Sequence, residues 1–209
     1  MGHRKSVIIG LIVTLTVLLP PTVSGQTLLF QDWYYGQHIE DFPSSQGYFD
    51  CSAIDLTPMR CLNDIPLVQQ SFTGRFIFDV EGRLVSLTIA SPYSQATFES
   101  LSADLNHGFK VIFLEGATGT LDLIEHENSR VTEFIDEQLQ EGYLAANYVE
   151  TPLLGESTAS NSAHELLLEM PVDRRAVDLV MSEDQFGAWI EATFYFPGQQ
   201  LADTEGFGS

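Results

Sequence analysis

Two stretches of the chain, offset by 34 residues, carry the same succession of strand-like, turn-like and helix-like sequence. Residues 76–109 align with residues 110–143 without a gap, and both copies keep a glycine at the turn, Gly82 and Gly116. Strand-forming residues on either side of each turn favour a β-hairpin, and apolar residues at helical spacing follow. The pattern predicts a tandem ββα core over residues 72–150. It leaves open whether the two units are a duplication or obey the same capping rules independently.

The C-terminal part of the chain favours further strands. Three strand-like runs joined by short turns lie at residues 165–170, 176–181 and 188–196. They predict a β-meander over residues 164–197, preceded by a linker or long loop at 151–163 and followed by a mobile tail at 198–209. The expected fold class is therefore α+β: two consecutive ββα units followed by a β-meander, forming an antiparallel sheet with helices packed on one face.

Residues 1–25 have the pattern of a secretory signal peptide. A basic start is followed by an apolar run at 6–19, a double proline at 20–21 and small residues at 23–25. A membrane-spanning helix needs about 20 apolar residues, so the run is short for a retained anchor, which stays open as the alternative. No second run of spanning length follows. We expect cleavage after residue 25 and a periplasmic or secreted protein of bacterial type, with no membrane span after cleavage.

The chain is strongly acidic, with 29 aspartates and glutamates against nine lysines and arginines and a net charge of −20. Residues 1–25 contain two of the basic residues and none of the acidic ones, so the remainder carries 7 − 29 = −22. Such a surface repels phosphate backbones and anionic lipid headgroups, which argues against nucleic-acid partners and anionic membranes. The charge favours either simple solubility or the capture of a basic partner.

Cys51 and Cys61 are the two cysteines of the chain. In an exported protein, two cysteines at this separation predict a disulfide. On the chain-entropy description, closing so short a loop stabilises the fold by about 3 kcal/mol. A redox-active pair is normally Cys-x-x-Cys, and no histidine lies nearby to complete a metal site, so a structural bridge is the expectation.

Residues 26–71 form a loop-rich, aromatic segment that contains both cysteines. Aromatic side chains among acidic neighbours can stack on sugars or contact peptides, and they can equally anchor an irregular segment onto a core. Both interpretations stay open. The candidate binding residues are Trp33, Tyr34, Tyr35, Phe42, Tyr48 and Phe49.

The sequence contains none of the common catalytic or metal-binding motifs. Gly-x-Ser-x-Gly, His-Glu-x-x-His, an EF-hand loop and a glycine-rich phosphate loop are all missing. Ser157 or Ser162 beside His164 would be a serine and base close in sequence, which says nothing about their geometry. With so many acidic residues, choosing one carboxylate pair carries no information. We therefore name no catalytic residue, no metal ligand and no cofactor, and we do not expect an enzyme.

Three functional hypotheses follow from these observations. The first is a non-catalytic envelope binding or interaction protein that acts through a sheet face or through the aromatic, disulfide-containing segment 30–61. The second is an acidic inhibitor or immunity-type protein that neutralises a basic partner. The third is an envelope hydrolase acting on peptide or glycan. The expected partners are accordingly a protein with a basic surface or a glycan.

Overall fold

A computed structural model describes residues 27–52, 57–124, 131–151, 160–185 and 187–199. The predicted signal peptide and residues 200–209 of the predicted tail lie outside these ranges. The strands are β1 (Leu28–Phe30), β2 (Trp33–Tyr34), β3 (Phe49–Asp50), β4 (Met59–Leu67), β5 (Gln70–Phe78), β6 (Leu84–Pro92), β7 (Phe109–Gly116), β8 (Gly119–Asp122), β9 (Tyr143–Glu150), β10 (Ala176–Asp184) and β11 (Gly187–Tyr195). The α-helices are α1 (Gln95–Leu105), α2 (Val131–Gln140) and α3 (Ala163–Leu168). Two short 3-10 turns lie at Ile39–Asp41 and Ser44–Gln46.

Nine of the strands form one antiparallel sheet in the order β3-β4-β5-β6-β11-β10-β9-β7-β8. β1 and β2 form a separate two-stranded sheet. The C-terminal hairpin β10–β11 lies in the middle of the large sheet, where β11 pairs with β6 and β10 pairs with β9. The two strands at the centre of the large sheet therefore come from the C-terminal part of the chain.

The two faces of the sheet bury different clusters. Val177 on β10 lies opposite Phe194 and Tyr148 in the register, and all three belong to the main core. Because neighbouring residues of a strand point to opposite faces, the adjacent residue Ala176 points away from this core. Ala176 belongs to a second cluster, which includes Val149 and is covered by α3. The apolar residues of α1 lie in the main core, so α1 and α3 cover opposite faces.

The predicted fold class is wrong. The molecule is mostly antiparallel β, a nine-stranded sheet and a two-stranded sheet with few short helices, and its helices do not pack together on one sheet face. The two repeated stretches also have different pairing, because β6 lies between β5 and β11 whereas β8 is an edge strand that pairs with β7. The hairpin β10–β11 separates β6 from β9, an arrangement that no local pattern encodes.

The predicted β-meander is also wrong in its first strand. Residues 163–168 form α3, and Ser162 begins this helix by accepting a hydrogen bond on Oγ from the backbone N–H of Glu165 (3.2 Å). The Glu165 carboxylate in turn accepts from the N–H of Asn161 (2.8 Å). Alanine, glutamate and leucine are good helix formers, and a run of three leucines does not distinguish a strand from a buried helix.

The connection between β5 and β6 shows why this hairpin forms. Asp79 Oδ1 accepts hydrogen bonds from the backbone N–H groups of Glu81 (2.9 Å) and Arg83 (2.8 Å). Gly82 has a φ of 76°, a left-handed conformation that glycine adopts without steric cost. The turn thus spans residues 79–83 between β5 and β6, and one aspartate side chain closes its backbone.

A buried glutamine joins α2 to the tip of the hairpin β7–β8. Gln138 is fully buried; its Nε2 donates to Thr118 Oγ1 (2.7 Å), and its Oε1 accepts from the Thr118 N–H (3.2 Å). A side chain at Gly116 would overlap Gln138, so the close approach requires glycine at this position. The hairpin and helix are therefore held together by a buried amide whose nitrogen and oxygen each have a hydrogen-bond partner.

The predicted disulfide between Cys51 and Cys61 is confirmed, with a Cα–Cα distance of 5.9 Å. It links the chain just after β3 to β4. None of the helices in the described ranges is both long enough and apolar enough to cross a lipid bilayer.

Candidate functional site

A cleft of about 460 Å³ opens between the two 3-10 turns and the pair β3–β4. It lies at the edge of the large sheet, since β3 is the terminal strand. It is lined by Ile39, Glu40, Phe42, Pro43, Ser44, Tyr48, Phe49, Asp50 and Arg60. All of these residues belong to the aromatic, disulfide-containing segment, which makes this cleft the candidate functional site.

The inner wall of the cleft is aromatic and rigidly packed. The rings of Phe42 and Tyr48 are nearly perpendicular, with centroids 5.1 Å apart, and both contact the buried ring of Phe76 on β5 (5.2 and 5.4 Å). Trp33 Nε1 donates a hydrogen bond to Tyr48 Oη (2.9 Å), which fixes the tyrosine ring. Such edge-to-face contacts add stability beyond burial alone. The cleft is thus built on a preformed aromatic cluster.

The first 3-10 turn is held against the sheet by backbone and side-chain bonds. The Ile39 N–H donates to the Gly82 carbonyl (2.8 Å), and the Gly36 N–H donates to the Leu84 carbonyl (2.8 Å). His38 caps the turn, because its Nδ1 accepts from the Glu40 N–H (3.4 Å). These bonds leave the Glu40 side chain 87% exposed at the mouth of the cleft.

The outer wall of the cleft is the two-residue strand β3. Phe49 pairs with Cys61 and Asp50 with Arg60 on β4, and the disulfide follows directly. The Phe49 side chain is 43% exposed, in contrast to the buried rings of the inner wall. An exposed phenylalanine held on a covalently tethered strand offers apolar surface to a ligand.

The charged groups of the cleft are an ion pair and an unshielded carboxylate. Arg60 Nη1 lies 3.3 Å from Asp50 Oδ2 and also donates to the Met59 carbonyl (3.3 Å). The backbone N–H of Ser52 donates to Asp50 (3.0 Å) and lowers the pKa of that carboxyl, with smaller contributions from the Ser52 hydroxyl and from Arg60. Asp50 is therefore ionised at neutral pH and Arg60 is already neutralised. Among the described residues, the ion-pair partner of Glu40 is His38, whose Nδ1 lies 3.7 Å from the Glu40 carboxylate.

The structure brings together half of the six aromatic residues singled out from the sequence. Phe42, Tyr48 and Phe49 line the cleft. Trp33 and Tyr35 instead contact core rings, Trp33 that of Phe76 (centroids 5.0 Å apart) and Tyr35 that of Phe196 (5.3 Å). Tyr34 lies half-buried in β2, outside the lining. Trp33 and Tyr35 thus anchor the aromatic segment onto the core, whereas ligand binding by the three residues of the cleft stays a prediction.

Sequence reasoning missed the polar part of the cleft. Arg60 and Glu40 were not among the candidates, because neither belongs to a motif. One signal was available: a disulfide between Cys51 and Cys61 draws the residues that precede them together, and these are Asp50 and Arg60.

A carboxyl whose pKa is raised by burial lies far from the cleft, on the sheet face opposite the main core. Asp178 Oδ1 on β10 accepts hydrogen bonds from Asn147 Nδ2 (2.6 Å) and from Tyr195 Oη (3.1 Å). Burial raises the pKa of Asp178, and the two hydrogen bonds oppose that rise in part. Burial, and then the neighbouring Asp178, also raises the pKa of Tyr195. The hydrogen-bonded side chains of Asn147, Asp178 and Tyr195 therefore link β9, β10 and β11.

We expect the free energy of unfolding of Asp178→Asn, relative to that of wild type, to be higher at pH 7 than at pH 3–4. The pKa of Asp178 in the folded protein lies above its ordinary value of 3.8, so the protonated carboxyl favours folding below pH 3.8. This contribution is lost as the pH rises through the folded-state pKa. Asparagine keeps an acceptor oxygen and has no charge to bury. Urea unfolding between pH 3 and 7 measures the difference from wild type, with the exposed Asp173→Asn as control. A difference for Asp178→Asn that is constant with pH would contradict the assignment.

The structure does not arrange Ser162 and His164 as a nucleophile and base. Ser162 Oγ caps α3, and the adjacent His164 is an exposed residue of that helix. Ser157 lies outside the described residues. Among the residues that the structure describes, no group of three or more histidine, cysteine, aspartate or glutamate side chains is arranged to hold a metal ion.

Comparison of the chain with protein-family models, with curated proteins and with solved structures gives no match. Its function is therefore inferred from the geometry of the cleft.

Proposed function

We propose that the chain is an exported, non-catalytic binding protein and that the cleft is its recognition surface. The observation that carries the proposal is the half-exposed Phe49, held over an aromatic wall by a strand that a disulfide tethers. Ligand sites are concave, largely apolar and preformed, with a few polar groups that give specificity. The cleft has each of these properties.

An oxidising compartment is the second element of the proposal. The disulfide between Cys51 and Cys61 is typical of proteins outside the cytoplasm. The basic and apolar pattern of residues 1–25 supports export to the periplasm or the medium. The protein would then meet its ligand in the cell envelope or outside the cell.

A second candidate function is an acidic inhibitor of a basic protein. The net charge of −20 favours it, because complementary charge accelerates and orients such complexes. The two functions differ in which surface of the protein is buried when the complex forms. An inhibitor would use a broad acidic surface, whereas the binding protein would depend on the side chains of the cleft.

The test is a comparison of three proteins on peptide and glycan arrays: wild type, Phe49→Ala and Trp189→Ala. Trp189 is a matched control because its side chain is exposed to a similar extent (39%) and lies on β11, away from the cleft. We expect ligands retained by wild type and by Trp189→Ala to bind Phe49→Ala about tenfold more weakly, since aromatic residues dominate such contacts. Ligands that bind Phe49→Ala as well as wild type would contradict the proposal.

A further inference from the structure

We propose that the cleft binds a cationic peptide segment, with an apolar side chain against Phe49 and a neighbouring lysine or arginine paired with Glu40. The inference rests on the proposed function, because it names the ligand of the same cleft. It follows from the charges at the rim, from the groups that are already paired, and from the apolar surface beside them.

The rim of the cleft has a local excess of negative charge. Besides Glu40 and Asp50, the adjoining turn between β5 and β6 carries Asp79 and Glu81, and this turn is bonded to the cleft through the Ile39 N–H and the Gly82 carbonyl (2.8 Å). The nearby cations are engaged. Arg60 pairs with Asp50, and Arg83 contacts the carboxylates of Asp79 (2.8 Å) and Glu81 (3.1 Å).

Glu40 is the carboxylate best placed to receive a cation from a ligand. Its side chain is 87% exposed, and its neighbour His38 pairs with it as an ion only when the imidazole is protonated. Among the described residues that line the cleft, Arg60 is the one basic residue, and it is paired with Asp50. An anionic ligand would therefore meet no cation in this lining without a carboxylate partner. The arrangement therefore selects for positive charge.

The apolar surface lies next to this charge. Phe49, Ile39 and Pro43 line the same cleft as Glu40. A phenylalanine face also attracts an ammonium or guanidinium group through its ring quadrupole. A peptide can carry an apolar side chain and a lysine or arginine at adjacent positions, whereas a neutral glycan could use the carboxylates as hydrogen-bond acceptors but would gain no ionic attraction from them.

Isothermal titration calorimetry with four defined probes tests the assignment. The probes are a glycine- and serine-flanked Lys-Phe-Lys peptide, the same peptide with Glu-Phe-Glu or Lys-Ala-Lys at its centre, and cellotetraose. We expect the Lys-Phe-Lys peptide to bind, Lys-Ala-Lys to bind about tenfold more weakly, and Glu-Phe-Glu and cellotetraose not to bind. Raising the salt from about 20 mM to about 300 mM weakens the Lys-Phe-Lys complex, because exposed charges are screened.

The matched variants are Glu40→Gln and Glu133→Gln, the latter an exposed glutamate of α2 on a different part of the molecule. Glu40→Gln lowers the affinity for the Lys-Phe-Lys peptide by about threefold, as expected for one exposed ion pair, and Glu133→Gln leaves it unchanged. Equal affinity of wild type and Glu40→Gln, or preference for Glu-Phe-Glu or cellotetraose, overturns the cationic-peptide assignment. If array ligands still depend on Phe49 in that case, the proposed function survives; if they do not, it fails as well.

Discussion

Replacing Phe76 by alanine is expected to lower the free energy of unfolding by about 3–5 kcal/mol, the usual cost of removing a fully buried phenylalanine. Phe76 is completely buried on β5 and contacts the rings of Trp33, Phe42 and Tyr48. These three residues belong to the aromatic, disulfide-containing segment, so the cavity left by the substitution lies between that segment and the sheet. The cleft should lose its inner wall together with the lost stability.

Urea unfolding monitored by circular dichroism measures the effect of Phe76→Ala. The control is Phe49→Ala, because Phe49 is half-exposed on β3 and its removal should cost less than about 1 kcal/mol. A similar loss for the two variants would show that Phe76 does not anchor the segment. A large loss for Phe76→Ala with ligand binding unchanged would show that the aromatic wall plays no part in recognition.

Breaking the disulfide is expected to lower the free energy of unfolding by about 3 kcal/mol, because a bridge across a short loop restricts the unfolded chain. β3 is paired with β4 at two residues, Phe49 with Cys61 and Asp50 with Arg60, so its position depends on the covalent link. Without it we expect Phe49 and Asp50 to leave the cleft wall more readily. Ligand affinity should then fall together with stability.

The double variant Cys51→Ala with Cys61→Ala and a chemical reductant provide two independent ways to make this measurement. Wild type in dithiothreitol should unfold at the same urea concentration as the double variant, and the reductant should not change the double variant further. Stability and ligand affinity that are unaffected by dithiothreitol would contradict the role of the bridge.

Local features of the fold could be predicted from the sequence, whereas the order of the strands could not. The glycine of the hairpin turn, Gly82, and the disulfide between Cys51 and Cys61 follow from short-range rules of backbone conformation and redox compartment. The start of α1 is harder to predict: Ser91-Pro92 has the pattern of a helix cap followed by a first-turn proline, yet β6 continues to Pro92 and Ser94 caps the helix. Proline is tolerated at the end of a strand as well as at the start of a helix.

The position of the C-terminal hairpin shows why the fold class was wrong. Leu179 lies opposite Ala192 in the hairpin and opposite Ala146 on β9, while Ala192 lies opposite Ile89 on β6. The last two of these pairings join residues far apart in sequence and depend on complementary burial. Local propensity carries no information about which distant strand will pair with a given strand. The sequence therefore predicts two consecutive ββα units followed by a β-meander, without a C-terminal hairpin between the units.

The cleft was predictable only in part for the same reason. The density of aromatic residues marked the correct segment, but not which rings would face the core and which would face solvent. Trp33 is drawn inward because its ring packs on Phe76 and its N–H reaches Tyr48. Phe49 stays half-exposed because it lies on an edge strand, a consequence of the sheet order.

The most direct test of the account is to map the site by amide chemical-shift changes in a two-dimensional NMR titration of the isotopically labelled protein. The ligand is the tightest binder from the peptide and glycan arrays. The account predicts that the shifts cluster at Ile39, Phe49 and Arg60 around the cleft. Shifts confined to the strands around Trp189 and Thr193, with none at the cleft, would contradict it and would place recognition on the sheet face opposite the main core.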